Sequence, residues 1–439
     1  MNGTEIAPQS QGQKFDSARI LDLISRVVST AGDSSHRRRA RDFTRNGPLT
    51  VELLTTLLLY MVADGNRRGY SHLLDGFWDE ARSYDLSLPT EEPVSAASFC
   101  TARHKITSDL LRCLVHEVAG TFDESFGESL RWHGRRVFAV DGTKINLQRS
   151  PDLHAAFGTP HEAYCPQLLL SVLLDVCGKV PVDLVIAPFA SSEREHLLAM
   201  LPRLRPGDVV VLDRGYPSHE VVQAFTKAGV DFLIRVPSDY TFSAIDLIRE
   251  SSGDDYRVVV APPHGSPEDW QPLELRAIRL TNPDGEESFF LTSLRRSDFR
   301  RAQLRELYHM RWDAEEFYKL YKGPYIGQGQ FRSKRPGGVR QEMHALVLFL
   351  AITRFLMATA VAATDDDYTE LSQKAAVLAT AAYMTRLFLP ASHELALREL
   401  NALLERIVRA RDKRRRNRSH PRVSYRPRRR WGPHGRTGG

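Results

Sequence analysis

At Arg135 the spacing of apolar residues changes period, and that change constrains the fold of this 439-residue chain more than any other feature. RRVFAVDGTKINL alternates and is rich in Val, Phe and Ile, the pattern of a strand running into a turn. QLLLSVLLDVCGKVPVDLVIAP supplies two further strands around a turn at 177–179. REHLLAMLPRL reads as a helix, and DVVVLDRGY as a short buried strand ending in a glycine turn. SHEVVQAFTKAG is a helix between Ser218 and Gly229, and VDFLIRVP is a strand. Three strands followed by helix, strand, helix, strand predict an α/β fold with a mixed sheet. After Pro237 the strands YRVVVAP, LELRAIRLT and SFFLTSL predict a β-rich insertion over about 239–293.

Both flanks read as helical. In the N-terminal region, 16–128, Ile20, Leu21, Leu23, Ile24, Val27 and Val28 recur with helical spacing, and Thr50 is placed to cap an apolar helix ending near Val62. EEPVSAASFCTARHKITSDLLRCLVHEVAG gives two short helical patterns around 106–108, the first capped by Ser95 or Ser98 and the second by Ser108. They form either a helix-turn-helix exposing Arg103, His104 and Lys105 or an ordinary helical pair, since docking geometry defines that motif more than sequence does. Helices resume at Ser297, with strong candidates at 343–363, 370–388 and 394–411. The most apolar stretch, 345–363, follows His344 and is interrupted by Arg354, so a buried helix explains it better than a membrane span. The resulting division is a helical region at 1–128, an α/β domain at 129–365 carrying the insertion, a helical region at 366–411, and a basic, disordered tail at 412–439.

Charge is unevenly placed. Residues 406–439 hold fourteen Lys/Arg against one acid, Asp412; taking this +13 from the chain total of +6 leaves −7 on the first 405 residues. A tail this basic, with RDKRRRNR and RPRRRWG, suggests an arm that neutralises nucleic-acid phosphates. The start, MNGTEIAPQSQGQKFDS, lacks the apolar run of a signal peptide. Cys100, Cys113, Cys165 and Cys177 form no C-x-x-C pair, which disfavours a zinc site or disulfide framework and fits a reducing cytosol.

Two aspartates end strand patterns. Asp141 follows Val137-Phe138-Ala139-Val140, and Asp213 follows Val209-Val210-Val211-Leu212. Carboxylates at strand ends lie on the sheet rim, where α/β folds bind ligands, although either Asp alone is also an ordinary turn former. In YHMRWDAEEFYKLYKG, Tyr308, Arg311, Glu315 and Lys322 have helical offsets of about 0°, 300°, 340° and 320°, so they share one face. By spacing alone that face is either functional or a salt-bridged helix surface. Glu316, the rival acid, lies about 100° further round.

Together these segments resemble the insertion-sequence-four family of DDE transposases. Tyr308-x-x-Arg311-x-x-x-Glu315-x-x-x-x-x-x-Lys322 matches its Y-R-E-K signature. VDGTKI around Asp141, VVVLDRGY around Asp213 and the downstream FRSKRPGGVRQE look like its other blocks, in the same order. The similarity covers roughly 137–354. It implies a ribonuclease-H-like core in which Asp141, Asp213 and Glu315 are catalytic and ligate Mg²⁺ or Mn²⁺. Two such ions, about 3.5–4 Å apart, would hold the attacking and leaving oxygens of a phosphodiester. It also implies that Tyr308, Arg311 and Lys322 contact DNA, with Lys144, Arg214, Arg332 and Lys334 as further candidates. The expected partner is double-stranded DNA, bound by a homodimer in the cytoplasm at the nucleoid, with no membrane. The expected reaction is cleavage at element ends followed by strand transfer. Some relatives release the element through a DNA hairpin, and Phe289, Phe290 or Trp270 would then hold a flipped base. The alternatives are a domesticated or inactive relative that only binds DNA, a ribonuclease-H-like nuclease without transposition, and a DNA-binding protein acting only through its tail.

Overall fold

The computed structural model describes residues 17–411, apart from 46, 65–68, 108, 162, 238–242, 282–284, 323–330, 363–369 and 390–391. Residues 1–15, the Ser108 cap, the basic tail, and the side chains of Leu21, Val28 and Lys322 lie outside the described residues.

Five helices come first: α1 (Ser17–Gly32), α2 (Val51–Ala63), α3 (Tyr70–Ser83), α4 (Ala96–Arg103) and α5 (Asp109–Phe126). Thr50 caps α2 by accepting from Leu53 N at 3.2 Å, and Ser95 caps α4 by accepting from Ser98 N at 3.1 Å. The α/β region follows as β1 (Val137–Asn146), α6 (Pro151–Phe157), β2 (Gln167–Asp175), β3 (Val180–Pro188), α7 (Glu193–Met200), β4 (Val209–Leu212), α8 (His219–Ala228) and β5 (Asp231–Val236). The insertion contributes α9 (Ser243–Glu250), β6 (Asp255–Val260), β7 (Leu273–Thr281) and β8 (Glu287–Thr292). The chain continues through α10 (Arg301–Met310), α11 (Trp312–Lys322), α12 (Pro336–Ala362), α13 (Gln373–Phe388) and α14 (His393–Arg409).

All eight strands form one sheet in the order β3-β2-β1-β4-β5-β8-β7-β6. β2 is antiparallel to β1 and to β3, whereas β4 and β5 run parallel to β1. That mixed order, with helices on the crossovers, is the ribonuclease-H-like core. The insertion extends the sheet, because β8 pairs antiparallel with β5 and carries β7 and β6 outward. All four residues of β4 are buried, as expected of a short central strand covered on both faces.

The two faces bury different partners. Val137, Ala139, Val209 and Val211 join the core shared with the N- and C-terminal helices, and Phe138, Val140, Val210 and Leu212 join the core under α7 and α8. The first of these cores is organised by α12, 27 residues long and apolar nearly all round, which packs on α2, α5, α14 and β3. Its most apolar 18-residue window is 89% buried inside the protein, so it is a core helix.

Three sequence expectations need correction. The first strand does not turn at Asp141-Gly142; β1 continues to Asn146 because β2 pairs along its whole length, with Asp141 opposite Val172. The helix expected through Tyr308–Lys322 is divided at Arg311, where Arg311 N and Ala314 N bond three residues back, to Tyr308 and Arg311, and tighten the turn between α10 and α11. Arg103, which the helix-turn-helix alternative would expose, is 2% exposed. Its guanidinium donates to Gln341 Oε1 at 3.0 Å, Tyr70 Oη at 3.0 Å, Glu342 Oε1 at 3.2 Å and Gly338 O at 3.0 Å, which fastens α4 to α12.

Candidate active site

Parallel pairing of β1 with β4 runs from Val137–Val209 to Ala139–Val211 and then stops, because β4 ends at Leu212. Asp141 stands on β1 two residues beyond that pairing, and Asp213 is the first residue after β4, so both lie at a rim where β4 no longer covers β1, near enough for the Asp213 charge to act on Asp141. The chain turns sharply after Asp213: Gly215 N donates to Asp213 Oδ1 at 2.7 Å. A side chain at 215 would bring its Cβ to 3.1 Å from that oxygen, so glycine gives the turn room to close.

The face carrying Asp141 is met by α11. Tyr318 Oη donates to Asp141 O at 2.6 Å and accepts from Val172 N at 3.1 Å, so one buried hydroxyl joins the helix to both β1 and β2. Glu315 lies one turn before Tyr318. It does not reach the aspartates directly; its Oε1 accepts from Arg311 Nη2 at 2.6 Å. The Arg311 guanidinium lies over the Tyr308 ring, 5.7 Å from its centroid. Burial lowers the Arg311 pKa, but Glu315, Tyr308 and Asp141 outweigh it, and the group stays above its usual value. Among the described residues Arg311 Nε is buried without a hydrogen-bond partner. Glu316 faces elsewhere, accepting from Trp312 Nε1 at 2.8 Å and pairing with Lys319.

Burial pushes the Asp141 carboxyl up to about 6; the Gly142 N–H and Arg311 oppose the rise, while the charges of Asp213 and Glu193 add to it. Glu193, in the first turn of α7, is a carboxylate that sequence reasoning missed. Acids are favoured at helix N-termini by the dipole alone, so nothing in SSEREH separates this one from an ordinary first-turn acid. It packs against Gly142, where an added Cβ would come within 2.4 Å of Glu193 Cδ and Oε1, and Tyr216 Oη donates to its Oε2 at 3.0 Å.

The remaining expected residues are dispersed. Lys144 is exposed on β1, its Nζ 5.8 Å from the Phe189 ring centroid, and Arg214 is exposed in the turn after β4. Arg332 is turned inward, donating from Nη1 to Met61 O at 2.8 Å and from Nη2 to Asp64 Oδ2 at 3.2 Å, so its charge ties the 331–335 segment to α2. Lys334 is exposed, and its carbonyl accepts from Ser150 Oγ at 2.9 Å, beside the chain leaving β1. Lys322 lies at the end of α11, and its side chain is outside the described residues. Of the aromatic residues, Phe290 packs edge-on against Tyr308 with centroids 4.6 Å apart, and the two line a cavity of about 540 Å³ with Leu280, Arg305 and His309. Phe289 lies under Arg249 and Arg279, and Trp270 stacks on His219.

The donors at the rim are carboxylate oxygens, the hard ligands that Mg²⁺ and Mn²⁺ take. Burial is the main cause of the raised Asp141 pKa, and the charges of Asp213 and Glu193 add a smaller repulsion that a divalent cation would relieve. The Asp141–Asp213 pair therefore fits such an ion. Among the described residues no three His, Cys, Asp or Glu side chains form a ready-made metal cage, and Glu315 joins the pair only by exchanging Arg311 for another partner.

A family model described as a transposase DDE domain matches residues 132–353, just over half of the chain. The putative transposase InsZ of Escherichia coli (strain K12) is 23% identical over 103 residues, 22% of this chain and 34% of that protein. The chain thus matches about a third of the length of this curated relative. A cryo-EM structure of a piggyBac transposase synaptic complex with hairpin DNA aligns with a TM-score of 0.45 at 10% identity, covering 87% of this chain and 82% of that one. The match of the domain model over more than half of the sequence identifies this chain as a member of the transposase DDE-domain family.

Proposed function

We propose that this chain is a cut-and-paste DNA transposase of the insertion-sequence-four type. The observation that carries the reading is the placement of Asp141 and Asp213 near one another at an open sheet rim, met by α11, whose Glu315 is paired with Arg311 of the turn before it. Asp141, Asp213 and Glu315 are the proposed catalytic carboxylates and would hold Mg²⁺ or Mn²⁺. When bound, a pair of such ions would stabilise the charge that builds on the attacking and leaving oxygens of a phosphodiester.

The protein's own groups have separate parts in this reading. Tyr318 fixes the height of α11 over β1, so the Glu315 carboxylate and the Asp141 carboxylate are set from one anchor. Arg311 binds a phosphate near the cleaved bond through its unpartnered Nε and a second guanidinium nitrogen, the planar two-bond contact suited to arginine. As Arg311 turns to phosphate it releases Glu315 toward the aspartates. Tyr308 supports the guanidinium from beneath. Lys322, Lys144, Arg214 and Lys334 are proposed to line the DNA path. Arg332 contributes by holding its segment against α2.

The reaction has two in-line displacements. Water cuts the strand at the element end and frees a 3′-hydroxyl; that hydroxyl then attacks target DNA. Residues 129–365 would be the catalytic domain, 1–128 the DNA-binding region, 366–411 a helical support and 412–439 a basic arm. Double-stranded DNA would be the partner, bound by a homodimer in the cytoplasm at the nucleoid. The test is incubation of the full chain with DNA carrying the inverted repeats that flank its gene. Metal-dependent nicking at the repeat end, followed by joined strand-transfer products, is expected. Nicking without joining would favour a nuclease, and binding without either would overturn the reading.

A further inference from the structure

The carboxylate of Glu193 is in an unusual place for a first-turn helix acid. An acid there normally serves its own helix, by facing the free N–H groups of the first turn or the solvent. Glu193 instead reaches across to β1. Its carboxylate lies so close to Gly142 that a Cβ at 142 would meet Cδ and Oε1 at 2.4 Å. The residue following Asp141 is therefore a cradle shaped by the absence of a side chain. On the other side, Tyr216, 1% exposed, spends its only hydroxyl on Glu193 Oε2 at 3.0 Å. Tyr216 lies three residues after Asp213, in the turn that places that aspartate. The segments following both aspartates thus grip the same third carboxylate, one by leaving room and the other by hydrogen bonding.

We propose that Glu193 is a further working carboxylate of this site, held beside Asp141 and Asp213 and drawn in to them when a divalent ion binds there, and that Tyr216 is the residue that positions it. The proposal rests on the reading of Asp141 and Asp213 as metal-holding residues. Without a cation the arrangement gathers negative charge, since Glu193 is held against the residue following Asp141 by a tyrosine of the turn that places Asp213. A carboxylate needed only to complete α7 has no reason to be held by a buried hydroxyl against the residue that follows Asp141. A carboxylate that shares a cation does, since groups that orient ligands are themselves fixed by hydrogen bonds.

The test is Mn²⁺ binding by the full-length protein, read by electron paramagnetic resonance of free Mn²⁺ and by calorimetry, which needs no catalytic turnover. Glu193→Gln keeps size and removes charge, and should weaken Mn²⁺ binding by about tenfold or more. Tyr216→Phe removes one hydroxyl and should weaken it in the same direction but less. Gly142→Ala leaves every carboxylate in the chain but displaces Glu193, and should also lose affinity; it keeps the test open if Glu193→Gln does not fold. Asp141→Asn is the reference for the underlying reading and should abolish the tightest site. Wild-type affinity in both Glu193→Gln and Gly142→Ala, with binding lost in Asp141→Asn, overturns the role of Glu193 and leaves the reading of the aspartates standing. Wild-type affinity in Asp141→Asn overturns that reading itself.

Discussion

Arg311 is the residue on which two readings of α10 and α11 diverge most sharply. It holds Glu315 at 2.6 Å, lies over Tyr308 and, among the described residues, has a buried Nε without a partner. If it binds phosphate, Arg311→Ala removes a charged group that holds the substrate, and end processing or strand transfer should fall by roughly ten- to a hundredfold, or about 1.5–3 kcal/mol. Arg311→Lys should recover only part of this, because an ammonium cannot make the planar two-bond contact. If Arg311 only completes a helix surface, the loss should appear as about 0–1 kcal/mol of stability with transfer intact. Melting temperature and transfer rate measured on the same variants separate the outcomes. The carboxylates make a different prediction. Asp141→Ala, Asp213→Ala and Glu315→Ala should each abolish cleavage while leaving end-DNA binding nearly unchanged, because affinity for DNA comes mainly from basic side chains. Glu316→Ala serves as the control, since Glu316 is engaged with Trp312 and Lys319. Loss of cleavage in that variant but not in Glu315→Ala would move the catalytic acid by one residue.

At the scale of elements, β3 is fastened to α5 by one carboxylate. Asp183, 1% exposed, accepts from Arg112 Nε and Nη2, each at 2.7 Å, and from Leu184 N at 2.8 Å, and lies 2.8 Å from His116 Nε2. Burial alone would raise its pKa, but His116 and Arg112 outweigh burial and bring it to about 2 from 3.8. A carboxyl depressed in the folded state stabilises the fold fully above its unfolded pKa and loses that contribution as pH falls from about 4 through about 2. The contribution is about 2 kcal/mol. Asp183→Asn should therefore melt well below wild type at pH 7, and the two should converge as pH approaches 2; a gap independent of pH would contradict this ionic account. Elements of this kind are unevenly visible in the sequence. The strands are legible because alternation and short apolar runs are local signals, and β4 shows it in four consecutive buried residues. The extent of β1 is not, because Asp141-Gly142 is a turn signal in isolation and only pairing with β2 keeps it extended. Helices α6 and α9 are seven and eight residues long, too short for periodicity to mark. Arg103 resembles a surface cation in the sequence because the groups that bury it, Gln341 and Glu342, lie more than 230 residues away. The expected site residues Asp141, Asp213, Arg311 and Glu315 fall on recognisable segments, but the approach of Glu193 depends on a crossover that no local pattern encodes.

At the scale of the whole molecule, α12 joins the N-terminal helices, the sheet and the C-terminal helices through one apolar core, so the helical flanks and the α/β region are not independent of one another. The net charge has the opposite distribution: about −7 over the first 405 residues and +13 over the last 34. An acidic body repels DNA at long range except where cations gather, so the tail should supply the larger part of non-specific attraction if this chain binds duplex DNA. Residues 412–439 lie outside the described part of the structure, and their assignment as a DNA-binding arm rests on charge alone. Removing residues 413–439 deletes eleven Lys/Arg and no acid. Affinity for duplex DNA should then fall by a similar factor whatever the sequence, because bonds to phosphate carry no base information. The dependence of log affinity on log salt should flatten by roughly 0.9 for each phosphate that the tail no longer neutralises. Specificity, expressed as the ratio of affinity for repeat-end DNA to that for random DNA, should be nearly unchanged, and metal-dependent nicking at saturating DNA should persist. Binding titrations of full-length and truncated protein at several salt concentrations, with nicking assayed alongside, measure all of this together. An unchanged slope would show that the tail does not touch DNA, and nicking abolished even at saturating DNA would show that it contributes to the active site.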